Sequence, residues 1–280
     1  MSPGRDASPQ RLRLAASLRR LRHAAGLSGE ELASRLGISQ SKLSRLELGD
    51  SVPQVTDVSR WGEATGAPHE TITELITLAE EVATEATLWR RSLRRGLGRL
   101  QRDVQAVETS AMTISNFSPV VLPGLLQTPE YARRLALLAF PEGRPDIAEG
   151  VAARMARQSV VYDESKRLTF VIAEPVLRWR LGPPPIMRAQ LDRILGVSDL
   201  PNVQVGILTQ DRELTTWYSH GFNLFEDRID DQDPVVHAST LTTGVTVTDP
   251  ADVDRYRQVF TRLREAAVFG DQARALLRGA

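Results

Sequence analysis

Gln40, Ser41, Ser44 and Arg45 fall on one outer helical face after the turn Gly37-Ile38-Ser39, and all four carry groups that hydrogen-bond base edges or phosphates. Glutamine is suited to bidentate pairing with adenine, and arginine with guanine. Ser39 at the head of that helix, Lys42 within it and Ser28 at the head of the preceding helix complete the set expected to touch a DNA duplex. Catalytic chemistry finds no comparable grouping. His23, His69, His220 and His237 lack metal-ligand spacing, no serine sits in a nucleophile elbow, and cysteine is absent. No catalytic residue, metal or cofactor is therefore expected, and the chain does not read as an enzyme.

Two short helices are needed to aim those side chains. Ser28 is a suitable N-cap, with Glu30 and Glu31 facing the positive end of the helix dipole. Leu32, Ala33 and Leu36 share an inner face, and Gly37 ends the helix because glycine takes the left-handed cap conformation at little cost. Ile38 drops into the core, and Ser39 caps a second helix whose inner face is Leu43, Leu46 and the stem of Lys42. That is the pattern of a helix-turn-helix. Leu14, Leu18 and Leu21 predict a helix from Gln10 to Ala25. Val55, Val58, Trp61 and Ala64 predict a fourth, and Ile72, Leu75, Ile76 and Ala79 a fifth. The helical domain is expected over 10–82, after a disordered segment 1–9.

The 280 residues have room for about two domains. The net charge is zero, yet the stretch from Arg5 to Arg22 holds six arginines against Asp6 alone. A second basic run holds Arg90, Arg91, Arg94, Arg95, Arg99 and Arg102. It reads either as a solvated face paired with Glu80, Glu81, Glu85 and Asp103 or as a DNA contact. No apolar run approaches the roughly 18 residues of a membrane span, and no signal-peptide core opens the chain. A cytoplasmic, nucleoid-associated protein with no membrane partner is expected.

Residues 83–115 keep a helical pattern, broken near Gly96 and Gly98, and are expected to be connector helices. Beyond them, in 116–280, Thr128 and Pro129 mark a helix start, and a further helix is expected over about 147–162. The period then changes. Segments 168–173, 203–208, 221–225, 235–236 and 241–247 read as strands, interleaved with helices near 175–179, 187–195, 250–269 and 270–277. The expected fold is a mainly α N-terminal helix-turn-helix domain followed by an α+β domain with a roughly five-stranded sheet.

In this second half Glu174, at a strand end, and Arg154, Arg157 and Gln158, on a facing helix, read as a buried polar cluster. It is either an internal ion pair fixing helix to sheet or a pocket for a polar or acidic ligand group. Trp179, Trp217, Tyr218, Phe222 and Phe225 read either as core or as pocket lining. The candidate ligand or partner contacts are Gln127, Tyr131, Arg154, Arg157, Gln158, Glu174, Arg178, Trp217 and Phe222.

Segment 27–47 resembles the Cro/repressor-type (xenobiotic-response-element, XRE) family, whose second helix enters the major groove. The resemblance implies DNA contacts from Ser39, Gln40, Ser41, Ser44 and Arg45, while Gly29 stands where that family often has a phosphate-gripping glutamine. Nearly the whole chain resembles actinobacterial regulators in which such a motif precedes a C-terminal domain of unknown function. The resemblance is carried by Leu122-Pro-Gly-Leu-Leu-Gln-Thr-Pro-Glu-Tyr-Ala-Arg133, by Ala153-Arg-Met-Ala-Arg-Gln158 and by Glu174 with Leu177-Arg178. Met187-Arg-Ala-Gln-Leu191, Pro201-Asn-Val-Gln-Val-Gly206, Gly221-Phe222 and Asp254-Arg-Tyr-Arg257 extend it. It implies a transcriptional regulator, expected as a homodimer on a two-fold double-stranded DNA operator, whose C-terminal domain senses a small-molecule ligand or binds a protein partner. Some members are antitoxin-like. The alternative is thus an interaction module that binds a small protein encoded nearby and autoregulates its operon.

Overall fold

The computed structural model describes residues 9–88, 96–230, 232–240 and 243–280. The expectations for 1–8 and for Arg90, Arg91, Arg94 and Arg95 lie outside them. Two compact units form. One holds the residues up to Ala86 together with Asp227–Val235 and Val245–Val253, and the other holds Thr87–Glu226, Val236–Gly244 and Asp254–Ala280.

Five helices build the first unit: α1 Pro9–Ala24, α2 Gly29–Leu36, α3 Gln40–Leu48, α4 Val55–Thr65 and α5 His69–Ala83. Leu14, Leu18, Leu32, Leu43, Leu46 and Trp61 are its fully buried centre, each aliphatic side chain contributing about 1.5–3 kcal/mol on leaving water. The Trp61 indole N–H donates to the Leu18 carbonyl at 3.1 Å, so its one polar atom is satisfied inside the core. Arg22 closes the end of α1 onto α3 by donating to both Glu47 oxygens, at 2.6 and 2.8 Å, and to the Leu27 carbonyl at 2.9 Å. The bonds to Glu47 hold the Arg22 guanidinium above its ordinary pKa.

The second unit carries α6 Leu97–Ser110, α7 Pro129–Ala139, α8 Ile147–Arg157, the short α9 Glu174–Leu177, α10 Pro184–Val197 and α12 Gly270–Gly279. The helix α11 spans Pro250–Ala266. The strands are β1 Thr84–Leu88, β2 Ala111–Ser118, β3 Arg167–Ala173, β4 Val203–Leu208, β5 Phe222–Arg228, β6 Val235–Ser239 and β7 Thr243–Val247. Six of them, β2 to β7, make a mixed sheet, and β1 adds a seventh at its edge in the order β1-β7-β6-β5-β2-β3-β4. β2, β3 and β4 run parallel, with Phe117 opposite Val171 and Val171 opposite Gly206. Among the described residues no helix is long and apolar enough to cross a membrane.

The α+β class agrees with expectation, and the segment expected as connector helices over 83–115 holds one described helix between two strands. Only Leu97–Ser110 is a helix between β1 and β2 among the described residues there. β2 lacks the alternation of a half-exposed strand because polar Ser115, Asn116 and Ser118 are buried in it. Asn116 and Ser118 find partners in each other and in a distant strand: the Asn116 amide donates to Asn223 on β5 at 2.8 Å, and the Ser118 hydroxyl donates to Asn116 at 2.8 Å. A buried strand whose polar groups find tertiary partners gives no period-2 signal.

Candidate functional site

The two central helices are built as their residues dictate. The Ser28 hydroxyl accepts from the Glu31 amide at 3.2 Å while the Glu31 carboxylate accepts from the Ser28 amide at 2.8 Å, a complete capping box. These bonds hold the Glu31 carboxyl below its ordinary value. Gly37 closes α2 at φ +68°, a conformation that strongly favours glycine. The Ser39 hydroxyl then accepts from the Lys42 amide at 3.1 Å and starts α3. Ser28 and Ser39 therefore use their hydroxyls as caps. Gln40 and Ser41 stand exposed on the first turn of α3, and Ser44 and Arg45 are half-buried one turn on.

Two of the expected DNA contacts already have partners in the chain. Lys42 Nζ lies 3.4 Å from Asp57 and 3.3 Å from Asp233, with 14% of its side chain exposed. Arg45 donates to the Ser41 hydroxyl at 3.1 Å and to the Asp230 carbonyl at 2.5 Å, leaving its Nε buried without a hydrogen bond. Both distant partners belong to the run Glu226-Asp-Arg-Ile-Asp-Asp-Gln-Asp233, which puts five carboxylates among eight residues. The run begins in β5, Arg228 and Gln232 are bridged across it, and Asp227 and Asp230 lie at φ +50° and +58°, a region non-glycine residues rarely enter. Asp233 also accepts from Gln54 at 3.0 Å, and its carbonyl accepts from Arg228 at 3.1 Å. Burial pushes the Arg228 guanidinium below its ordinary pKa; Asp233 opposes the shift and Arg45 adds to it. Sequence reasoning passed over this segment, although an acidic run on a locally basic chain was the available signal.

In the second unit the expected polar cluster forms with a different carboxylate. Glu174 does not meet Arg154 or Arg157; it pairs with Arg178 one turn along at 3.3 Å and accepts from the Gln210 amide at 3.3 Å. The reason is direction: α8 turns its arginines toward α6, whose Glu108 lies 3.6 Å from Arg157. Burial pushes the Glu108 carboxyl up to about 7, against the pull of Arg157 and then Arg154. Glu108 and Gln101 share the inner face of α6 with Leu97, and two polar residues at core-facing positions are the signal that would have found them.

Gln127, Tyr131 and Gln158 hold the turn that carries the resemblance. Pro123 and Gly124 prevent a helix between β2 and α7, so buried carbonyls need other donors. Gln127 donates to Leu122 at 2.8 Å, and Gln158 donates to Gly124 at 3.0 Å and to Gln127 at 2.7 Å. Gln190 donates to Leu126 and accepts from the Thr128 amide, both at 2.8 Å. The Tyr131 hydroxyl accepts from the Leu122 amide at 3.3 Å. Of the expected aromatic group, Phe222 and Phe225 are core, whereas Trp217 is 71% exposed and Trp179 is 44% exposed. Among the described residues no group of three or more metal-ligating side chains occurs.

Two capped helices joined by a left-handed glycine, ahead of a mixed sheet with an internal polar network, define a helix-turn-helix protein with a large C-terminal domain. Residues 13–75 match the family described as a helix-turn-helix domain, and residues 101–279 match the one described as a domain of unknown function (DUF5753). The chain belongs to the DUF5753 family. No curated protein matches it. One solved structure that matches is titled "Structure of TrmBL2, an archaeal chromatin protein, shows a novel mode of DNA binding". It is 11% identical, with a TM-score of 0.34, over 74% of this chain and 64% of that one. So distant a likeness carries no argument.

Proposed function

We propose that the chain is a sequence-specific DNA-binding transcriptional regulator of Cro/repressor type, acting as a homodimer on a two-fold operator in the cytoplasm. The observation that carries this reading is α3 itself, a doubly capped helix whose first turn shows Gln40 and Ser41 to solvent beside Lys42 and Arg45. In a major groove Gln40 would read adenine and Arg45 guanine. Because Lys42 and Arg45 are engaged by Asp233 and the Asp230 carbonyl, phosphates and bases must displace those contacts. The C-terminal domain would set that competition by binding a ligand or a protein partner.

The test is to select operators from random duplexes with the full chain and titrate variants against the selected site. Gln40→Ala and Arg45→Ala should each cost about 1–3 kcal/mol and relax preference at one base pair. Variants that bind with unchanged affinity and base preference would overturn the assignment. Antitoxin-like behaviour has its own signature: a small neighbouring protein would co-purify and change operator affinity on mixing.

A further inference from the structure

A cleft inside the second unit lies among α6, α7 and α8. Leu97, Leu100, Leu135, Phe140, Ile147 and Val151 wall a cavity of about 310 Å³. Gly150 lets α8 approach α6, since a Cβ there would sit 2.6 Å from the Leu97 Cβ. One end of this apolar space is polar, lined by Gln101 and Arg154.

The Arg154 guanidinium is held by neutral partners, donating to Gln127 at 2.6 Å and to Gln101 at 3.4 Å. Among the described residues no carboxylate lies within ion-pair distance of it, because Glu108 faces Arg157. The cluster thus sets two guanidinium groups against one carboxylate, and the surplus charge lines the cleft. Burial and the neighbouring Arg157 push the Arg154 guanidinium below its ordinary pKa, and the charge of Glu108, shared with Arg157, offsets this only in part; an anion that desolvates with Arg154 recovers charge-assisted hydrogen bonds.

We propose that the cleft binds a small amphipathic monocarboxylate, its headgroup on Arg154 and its apolar body between Leu135, Phe140 and Val151. The volume suits a body of about ten carbons. This names the ligand class for the sensing role proposed above, and its regulatory meaning rests on that reading.

The test is calorimetric titration of the full chain with decanoate and with 1-decanol below their aggregation limits. Decanoate should bind about tenfold more tightly than the alcohol. Arg154→Gln should remove that preference, and Ala136→Trp, which fills the cleft, should abolish binding of both while leaving the circular dichroism unchanged. Equal binding of acid and alcohol to the parent, or decanoate binding that survives in folded Ala136→Trp, overturns the site. Should Arg154→Gln fail to fold, the Ala136→Trp arm decides alone. Operator affinity is measured in parallel: decanoate bound without effect on DNA refutes sensing and leaves the site standing, whereas no bound decanoate refutes the site and leaves DNA binding standing.

Discussion

Glu108 links protonation to folding. Its carboxyl is pushed from 4.5 up to about 7 by burial, with Arg157 only partly offsetting the cost of charge. A carboxyl whose folded value is raised takes up a proton on folding, so its stabilisation is complete below about pH 4.5 and disappears as the pH rises through about 7. Urea melts at pH 5 and pH 8 should therefore show the parent losing about 2–4 kcal/mol that Glu108→Gln does not lose. Identical pH dependence in parent and variant would refute a neutral buried Glu108. Gly124 is constrained by the same cluster. A Cβ there would lie 2.4 Å from Arg157 Nη2, and moving that side chain breaks its pairing with Glu108. Gly124→Ala should cost about 1–3 kcal/mol in the same melts, and an unchanged midpoint would show that Arg157 yields freely.

Among elements, local signals were legible in the sequence and distant ones were not. The caps Ser28, Gly37, Ser39 and Thr128 act within four residues of their partners, so type and spacing sufficed to place α2, α3 and α7. The strand β2 went unseen because Asn116 answers to Asn223, 107 positions later. Glu174 was assigned the wrong arginines for a related reason. A strand end and a helix can be predicted separately, but the rotation of α8 toward α6 is a packing outcome. The motif from Leu122 to Arg133 was recognisable by resemblance, and its physical role emerges only with Gln158 and Gln190. Those amides supply the donors that a buried, non-helical backbone lacks.

At the scale of the whole molecule, the acidic segment holds the Lys42 ammonium and the Arg45 guanidinium that the proposed DNA contact would need. Asp233→Asn should weaken the hold on Lys42, raise affinity for duplex DNA at low salt, and steepen the logarithmic salt dependence by about one unit as one more phosphate contact forms. An unchanged slope and affinity would mean that Lys42 stays with Asp57. The two segments also emerge from the ribosome at different times. Roughly 140 residues separate Ala86 from Asp227, which at about 5–20 residues per second is about 7–30 s of synthesis. During that interval a nascent chain carries its five N-terminal helices without the acidic segment, so Lys42 and Arg45 are first synthesised free of the restraint that Asp233 and Asp230 later impose.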